Sequence, residues 1–378
     1  MTALESEGPG RNVAETGGLD TALDRAEIGR ILGEIRDRGA RAARHAAAEH
    51  GFRRVYMGGA PLAGLGSPCS DIDIFVVLDG EDRSTEQFAF EGQRVDVEYV
   101  QLAELETLVR RFTTFEGTST DTGQLSFAGR SRLDRTARFL LSEIVVDEGG
   151  QLAALHAQLA KGEDAFRKVL IARHAQDIQN AGEDVIGALL NGDPSNAEYQ
   201  SREMVYRGAE AYLAGEGDVY VNTKWVWAKW DRTVGDKAGG QLAEVLHDLG
   251  MPSTRDAVIR NLWLTQDLVA MAATGYRYVP VLDVTPPFCR RNPRHTLLPF
   301  ADGFFATHEV GSATELSREG VLLWMLAHGR TKADAVAAAR ASFAAEGVEI
   351  AQEDVSAYYD ILEQSGLMAA VPESDDRP

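Results

Sequence analysis

Cysteine is nearly missing from this sequence: Cys69 and Cys289 are the two among 378 residues. That excludes a disulfide framework, and neither has a neighbour at metal-ligand spacing. Long apolar runs are also missing, so no stretch reads as a membrane span. Basic residues are scarce beside acidic ones, 38 Lys and Arg against 58 Asp and Glu, giving a formal net charge of −20. Such a chain lacks the broad cationic face that a long phosphate backbone needs, so neither nucleic acid nor membrane is expected as a partner. Histidines are scattered without HxxxH company, which makes them core or solvated residues. There is no internal repeat.

What remains is the composition of a soluble globular protein, long enough for two or three domains. Residues 1–19 are acidic, polar and Gly-rich, unlike a signal or transit peptide, and read as a disordered lead into a cytoplasmic protein. The expected fold is an α/β N-terminal domain with a small mixed sheet (20–128), an all-α middle domain (129–278) and a C-terminal winged-helix-like domain. A linker spans 279–293, the third domain 294–371 and a disordered tail 372–378. Asp20 to His50 has apolar residues at helical spacing. "FRRVYM", "DIDIFVVL" and "QRVDVEYVQ" read as strands, "GEDRSTEQ" as a connection and "LAELETLVRRF" as a helix. From Arg130 to about Ala273 nearly everything reads as helix. Four prolines mark the linker. Three β-like pieces then precede helices at Arg318–His328, Thr331–Glu346 and Glu353–Gln364, with glycines placed to cap them.

Two aspartates open the second strand. Asp71 and Asp73 leave the same face, with Ile72 and Ile74 on the other. Asp96 sits between two valines, so its carboxylate also faces away from buried side chains. If the two strands are neighbours, the three carboxylates converge, and a trio of hard oxygen ligands suits one or two Mg²⁺ ions. A Gly-rich turn precedes the pair and the apolar run follows it.

Met57-Gly58-Gly59, Asp71-Ile72-Asp73-Ile74 and Asp96, with Pro68 and Ser70 in a "PxSD" opening, resemble the polymerase-β-like nucleotidyltransferase superfamily over residues 20–115. The resemblance implies that Asp71, Asp73 and Asp96 are catalytic and hold two Mg²⁺ ions, and that Gly58, Gly59 and Ser70 approach a nucleoside triphosphate, with ATP the expected donor. It implies attack at the α-phosphorus, transfer of a nucleoside monophosphate and release of pyrophosphate. Many members carry Gly-Ser with an arginine three residues beyond. Here the corresponding positions are Gly58-Gly59 or, counted back from Asp71, Gly59-Ala60 with Ala63 in the arginine's place. The basic stretch "AGRSRLDRTARF", with Arg135 and Arg138 on one helix face, is either a solvated face or a reach toward the triphosphate.

In the middle domain, "VYVNTKWVWAKWDR" offers Lys224 as a nucleotide-binding residue, with Trp227 and Trp230 either stacking on a base or forming core. Glu203 and Glu210 are available as acceptor-side bases. In the C-terminal region, "LSREGVLLWMLAHGRTKADAV" and "EDVSAYYDILEQSGLM" resemble the PqqD-like domain of ribosomal-peptide biosynthesis. That resemblance implies peptide binding at Thr314, Leu316, Val355, Tyr358 and Tyr359, by strand addition against the last helix. The combined expectation is a Mg²⁺-dependent nucleotidyltransferase acting on a peptide or peptide-derived natural-product intermediate. The rivals are a small-molecule, antibiotic-type nucleotidyltransferase and a non-catalytic peptide-binding scaffold. Oligomeric state is not legible.

Overall fold

Helix α1 (Arg25–His50) begins where the Asp24 side chain accepts from the Glu27 backbone N–H at 2.8 Å, an N-cap that satisfies one of the helix's free donors. This is a computed structural model, which describes residues 24–80, 83–235, 255–281, 289–309 and 312–370. The lead at 1–19 and the tail at 372–378 lie outside the described residues. Leu32, Ile35, Ala43 and Ala47 of α1 are buried against one face of a five-stranded mixed sheet.

The strands are β1 (Arg54–Gly58), β2 (Ile72–Leu78), β3 (Glu86–Phe90), β4 (Gln93–Gln101) and β5 (Glu143–Asp147), in the order β3-β4-β2-β1-β5. β2 and β4 run parallel, and the remaining pairs are antiparallel. Behind the sheet lie α2 (Leu102–Phe112), α3 (Gly123–Phe127), α4 (Arg130–Leu140) and α5 (Gln151–Lys161). There Tyr56 stacks on Phe75 at 4.8 Å and meets the edge of Phe139 at 5.0 Å, pinning α4 to the strands.

Two strands depart from expectation. β3 begins inside the stretch read as a connection; it is a mostly exposed edge strand whose half-buried pair, Phe88 and Phe90, lies just beyond that stretch. β5 lies inside the stretch read as helical. Its five half-buried residues are too few to show a period between helices on either side. Because β5 pairs with β1, the α/β unit runs past residue 128 and takes in α4.

Helices α6 (Glu163–Leu190), α7 (Pro194–Gly215), α8 (Val226–Thr233) and α9 (Arg255–Thr274) form the helical layer. β6 (Cys289–Arg291), β7 (Thr296–Phe300), β8 (Gly303–Glu309) and β9 (Ser312–Leu316) follow. Then come α10 (Arg318–Ala327), α11 (Lys332–Ala345), α12 (Gln352–Gln364) and β10 (Met368–Ala370). β7, β8 and β9 make an antiparallel sheet in that order, so the expected three strands and three helices are present. Gly329, Gly347 and Gly366 follow these helices with φ of +72°, +77° and +72°, as a left-handed cap requires.

The linker reading needs correction at its end. Cys289–Arg291 is a strand paired with β10, and the prolines around it hid that pairing. Arg291 is fully buried on Asp267 of α9, with Nη2 donating at 2.7 Å, and the Tyr278 hydroxyl donates to the same carboxylate at 2.9 Å. This ties the C-terminal unit to the helical layer. The β7–β8 turn reaches the α/β unit as well: Ala301 N–H donates to Gly117 at 2.7 Å, and Ser119 Oγ donates to Asp302 at 2.7 Å. Among the described residues no helix is long and apolar enough to cross a membrane.

Three histidines are core. Burial holds His174 down to about 3, with Lys229 and Arg207 adding to it; burial and His308 hold His295 at about 4; burial and Arg291 hold His328 at about 2. Each folded value lies below that of an unfolded histidine. The unfolded chain therefore binds more protons over that interval, and stability present above about pH 6.5 is lost as pH falls toward 4. Chemical denaturation at pH 7.5 and pH 5 should show the loss, and His174→Gln should make the dependence shallower. An unchanged midpoint between the two pH values would refute this account of acid sensitivity.

Candidate functional site

β1 ends in the glycine turn, and its last residue, Gly58, pairs with Asp73 across the antiparallel ladder. Asp73 in turn pairs with Asp96 across the parallel β2–β4 ladder, so those two carboxylates stand side by side. Asp71, just ahead of β2, is two residues away on the same face. The condition set by the sequence, that the two aspartate strands be neighbours, is met.

Gly59 has φ +91°, and a Cβ built there would lie 2.0 Å from Asp73 Oδ2. Only glycine lets the backbone pass this close to the carboxylate. Gly59→Ala is therefore expected to push Asp73 out of place and destabilise the fold by about 1–3 kcal/mol, the usual cost of such backbone strain. Thermal unfolding of the variant checks this, and wild-type stability would contradict this role.

Two arginines stand among the aspartates. Arg138 of α4 packs over Gly58 and donates from Nη1 to Asp73 Oδ2 at 2.9 Å, while its Nε lies 2.9 Å from Asp134. Burial lifts Asp73 to about 6 against the pull of Arg138, and the neighbouring Asp71, Glu98 and Asp96 lift it further. Arg94 of β4, 60% exposed, bridges Asp71 and Asp96, with Nε 3.2 Å from Asp96 Oδ1. Tyr220 completes the wall. Burial drives its hydroxyl up to about 12; Arg138 opposes this, while Asp134, Asp73 and Asp71 add to it.

With each carboxylate turned to an arginine, no group of three or more His, Cys, Asp or Glu side chains among the described residues is arranged to hold a metal. The donor set nonetheless fits a hard divalent cation: three carboxylates, all oxygen, on one face. Arg94 is the exposed cation that such an ion would displace.

Other expected residues fall elsewhere. Ser70 closes its own loop, its Oγ accepting from Ser67 N–H at 2.9 Å. Lys224 is exposed, 4.9 Å over the Trp225 ring, with no contact to the aspartates. Trp230 is core, stacked on Tyr212 at 5.2 Å, and Trp227 meets Tyr206 edge-on at 6.2 Å. The basic stretch divides: Arg138 turns to Asp73, whereas Arg135 pairs with Glu104. Arg138 had a local signal in Asp134, four residues earlier on the same helix face. Arg232 of α8 pairs with Asp218 and bonds the Ala63 carbonyl, stapling the helical layer to the Gly-rich loop.

On the C-terminal unit, Leu316, Val355 and Tyr359 are buried rather than displayed, and Tyr359 is 1% exposed with its hydroxyl 2.9 Å from Cys289 Sγ. Thr314 and Tyr358 are half-buried, and among the described residues β9 has one strand neighbour, β8. Tyr358 lines a cavity of about 200 Å³ with Leu323, Phe343, Ile350 and Val355, rimmed by Glu319 and Asp354.

No protein-family model matches the sequence, and no curated protein does. Among solved structures, the chain is similar to a nucleotidyltransferase-like protein from Exiguobacterium sibiricum 255-15, with TM-score 0.37 and 12% identity over 63% of this chain and 77% of that one.

Proposed function

We propose that the chain transfers a nucleoside monophosphate from a nucleoside triphosphate, ATP being the expected donor, to a hydroxyl or amine of a peptide or peptide-derived intermediate. One observation carries the reading: Asp73 and Asp96 are paired in register beside the Gly58-Gly59 turn. Asp71, Asp73 and Asp96 would hold one or two Mg²⁺ ions, which when bound neutralise charge on the phosphates. The glycine turn leaves room for phosphate oxygens to approach the backbone. Arg138, lying over that turn, supplies the cation that Ala63 does not. The acceptor oxygen or nitrogen bonds to the α-phosphorus as the bond to pyrophosphate breaks, and the acceptor's proton passes to Asp96.

For the peptide, the edge of β9 beside Tyr358, which has no strand neighbour among the described residues, suits strand addition, with the 200 Å³ cavity available for one apolar side chain. This rests on the PqqD-like resemblance. A second reading, a non-catalytic peptide-binding scaffold, is favoured by the two arginines that already pair with all three aspartates.

Calorimetric titration with non-hydrolysable ATP, GTP, CTP and UTP analogues, with and without Mg²⁺, separates the two. Metal-dependent binding of one nucleotide supports transfer and names the donor. Binding of a peptide but of no nucleotide supports the scaffold.

A further inference from the structure

A second cavity, about 40 Å³, lies where α4, α6 and α7 meet the segment that follows α7. A water needs about 10–15 Å³, so a few heavy atoms fit. Its charged groups are unevenly satisfied. Arg173 and Arg207 share Asp177, 2.7 Å from each, leaving one positive charge in excess. Among the described residues, the side chains of Arg130, exposed, and Glu203, half-buried, both on the lining, make no hydrogen bond or ion pair. Two buried atoms on the same wall, His174 Nδ1 and Glu210 Oε1, also have no partner. Buried polar atoms normally do, so these two atoms, beside a cavity also lined by Arg130, Arg207 and Glu203, point to a polar ligand.

We infer that this cavity is a subsite for the head group of an α-amino acid, its carboxylate on Arg130 and Arg207 and its ammonium on Glu203. A simple anion would leave Glu203 facing like charge, and a simple amine would leave the arginines unmet. Both signs within a few ångströms match a zwitterion. Two chain segments link the cavity to the aspartates. Arg130 and Arg138 are two turns apart on α4, about 12 Å along its axis. Val221, Asn222 and Thr223 line the cavity, while their neighbour Tyr220 lies within electrostatic range of Asp73. An acceptor anchored here would extend toward Asp73, with Glu203 and Glu210 both beside its head group. That role as acceptor anchor rests on the nucleotidyl-transfer reading, but occupancy of the cavity does not.

The test is a ligand-observed NMR titration of the full chain with glycine, acetate and methylamine, no nucleotide present. Glycine should bind, and acetate and methylamine should bind roughly tenfold more weakly or worse, since each makes half of the charge-assisted contacts. Arg130→Gln and Glu203→Gln should each weaken glycine roughly tenfold; Arg130 is exposed, so its replacement leaves the core untouched. Asp73→Asn should leave glycine binding unchanged, which separates this subsite from the nucleotide site. No glycine binding, equal binding of acetate, or binding unaffected by both variants would overturn the inference.

Discussion

Asp73→Asn is expected to abolish Mg²⁺-dependent nucleotide binding and to lower transfer by about 100- to 1,000-fold, the usual scale for removing a group that stabilises transition-state charge. The fold should survive. Asparagine has the same shape, and Arg138 keeps Asp134 as a partner. Burial already lifts the Asp73 carboxyl to about 6, above its unfolded value, so the fold disfavours the ionised form and loses little with a neutral side chain. Calorimetry and thermal unfolding on the same sample check the two halves of the expectation. Wild-type nucleotide affinity and turnover in a folded variant would defeat the assignment of this carboxylate.

Arg291→Met should be the most destabilising single change described, by about 3–5 kcal/mol, because it strands a buried charge. Asp267 is 1% exposed; it would keep the Tyr278 hydroxyl but lose its bidentate partner. Replacing the pair together, Arg291→Met with Asp267→Leu, removes the stranded charge and should recover most of the loss. Denaturant midpoints of the wild type and three variants form the cycle. A single variant as stable as wild type, or a double variant no better than Arg291→Met, would show that the pair does not anchor the C-terminal unit.

The part of the site legible in the sequence was the part written in local spacing. Asp71 and Asp73 share a face because strands have period two, and the valines around Asp96 set its facing. Their convergence needed the β2–β4 pairing, which the structure supplies in register. Arg138 was visible as a basic residue but not as a partner of Asp73, 65 positions away, since nothing local encodes that contact. β5 escaped for a related reason: five residues between helices carry too little pattern, and their strand state depends on pairing with distant β1. Arg291 was obscured by the prolines around it, its partner lying on a helix before them. Tyr359 is different, because the signal was present. Val355, Tyr359 and Leu362 fall at i, i+4 and i+7, the stripe a core-facing helix requires, and all three are buried. The neighbouring Tyr358 is half-buried and lines the larger cavity.

On the proposed reading, the three aspartates exchange their arginines for a divalent cation when nucleotide arrives. Electron paramagnetic resonance of Mn²⁺ with a non-hydrolysable nucleotide triphosphate, in wild type and in Asp73→Asn, addresses it directly. Bound Mn²⁺ with phosphorus coupling in wild type, reverting to the signal of the protein-free Mn²⁺–nucleotide complex in the variant, is the expected result. The same Mn²⁺ signal in wild type, Asp73→Asn and protein-free nucleotide would mean that Arg94 and Arg138 remain the partners of these carboxylates and that the site does not carry out nucleotidyl transfer.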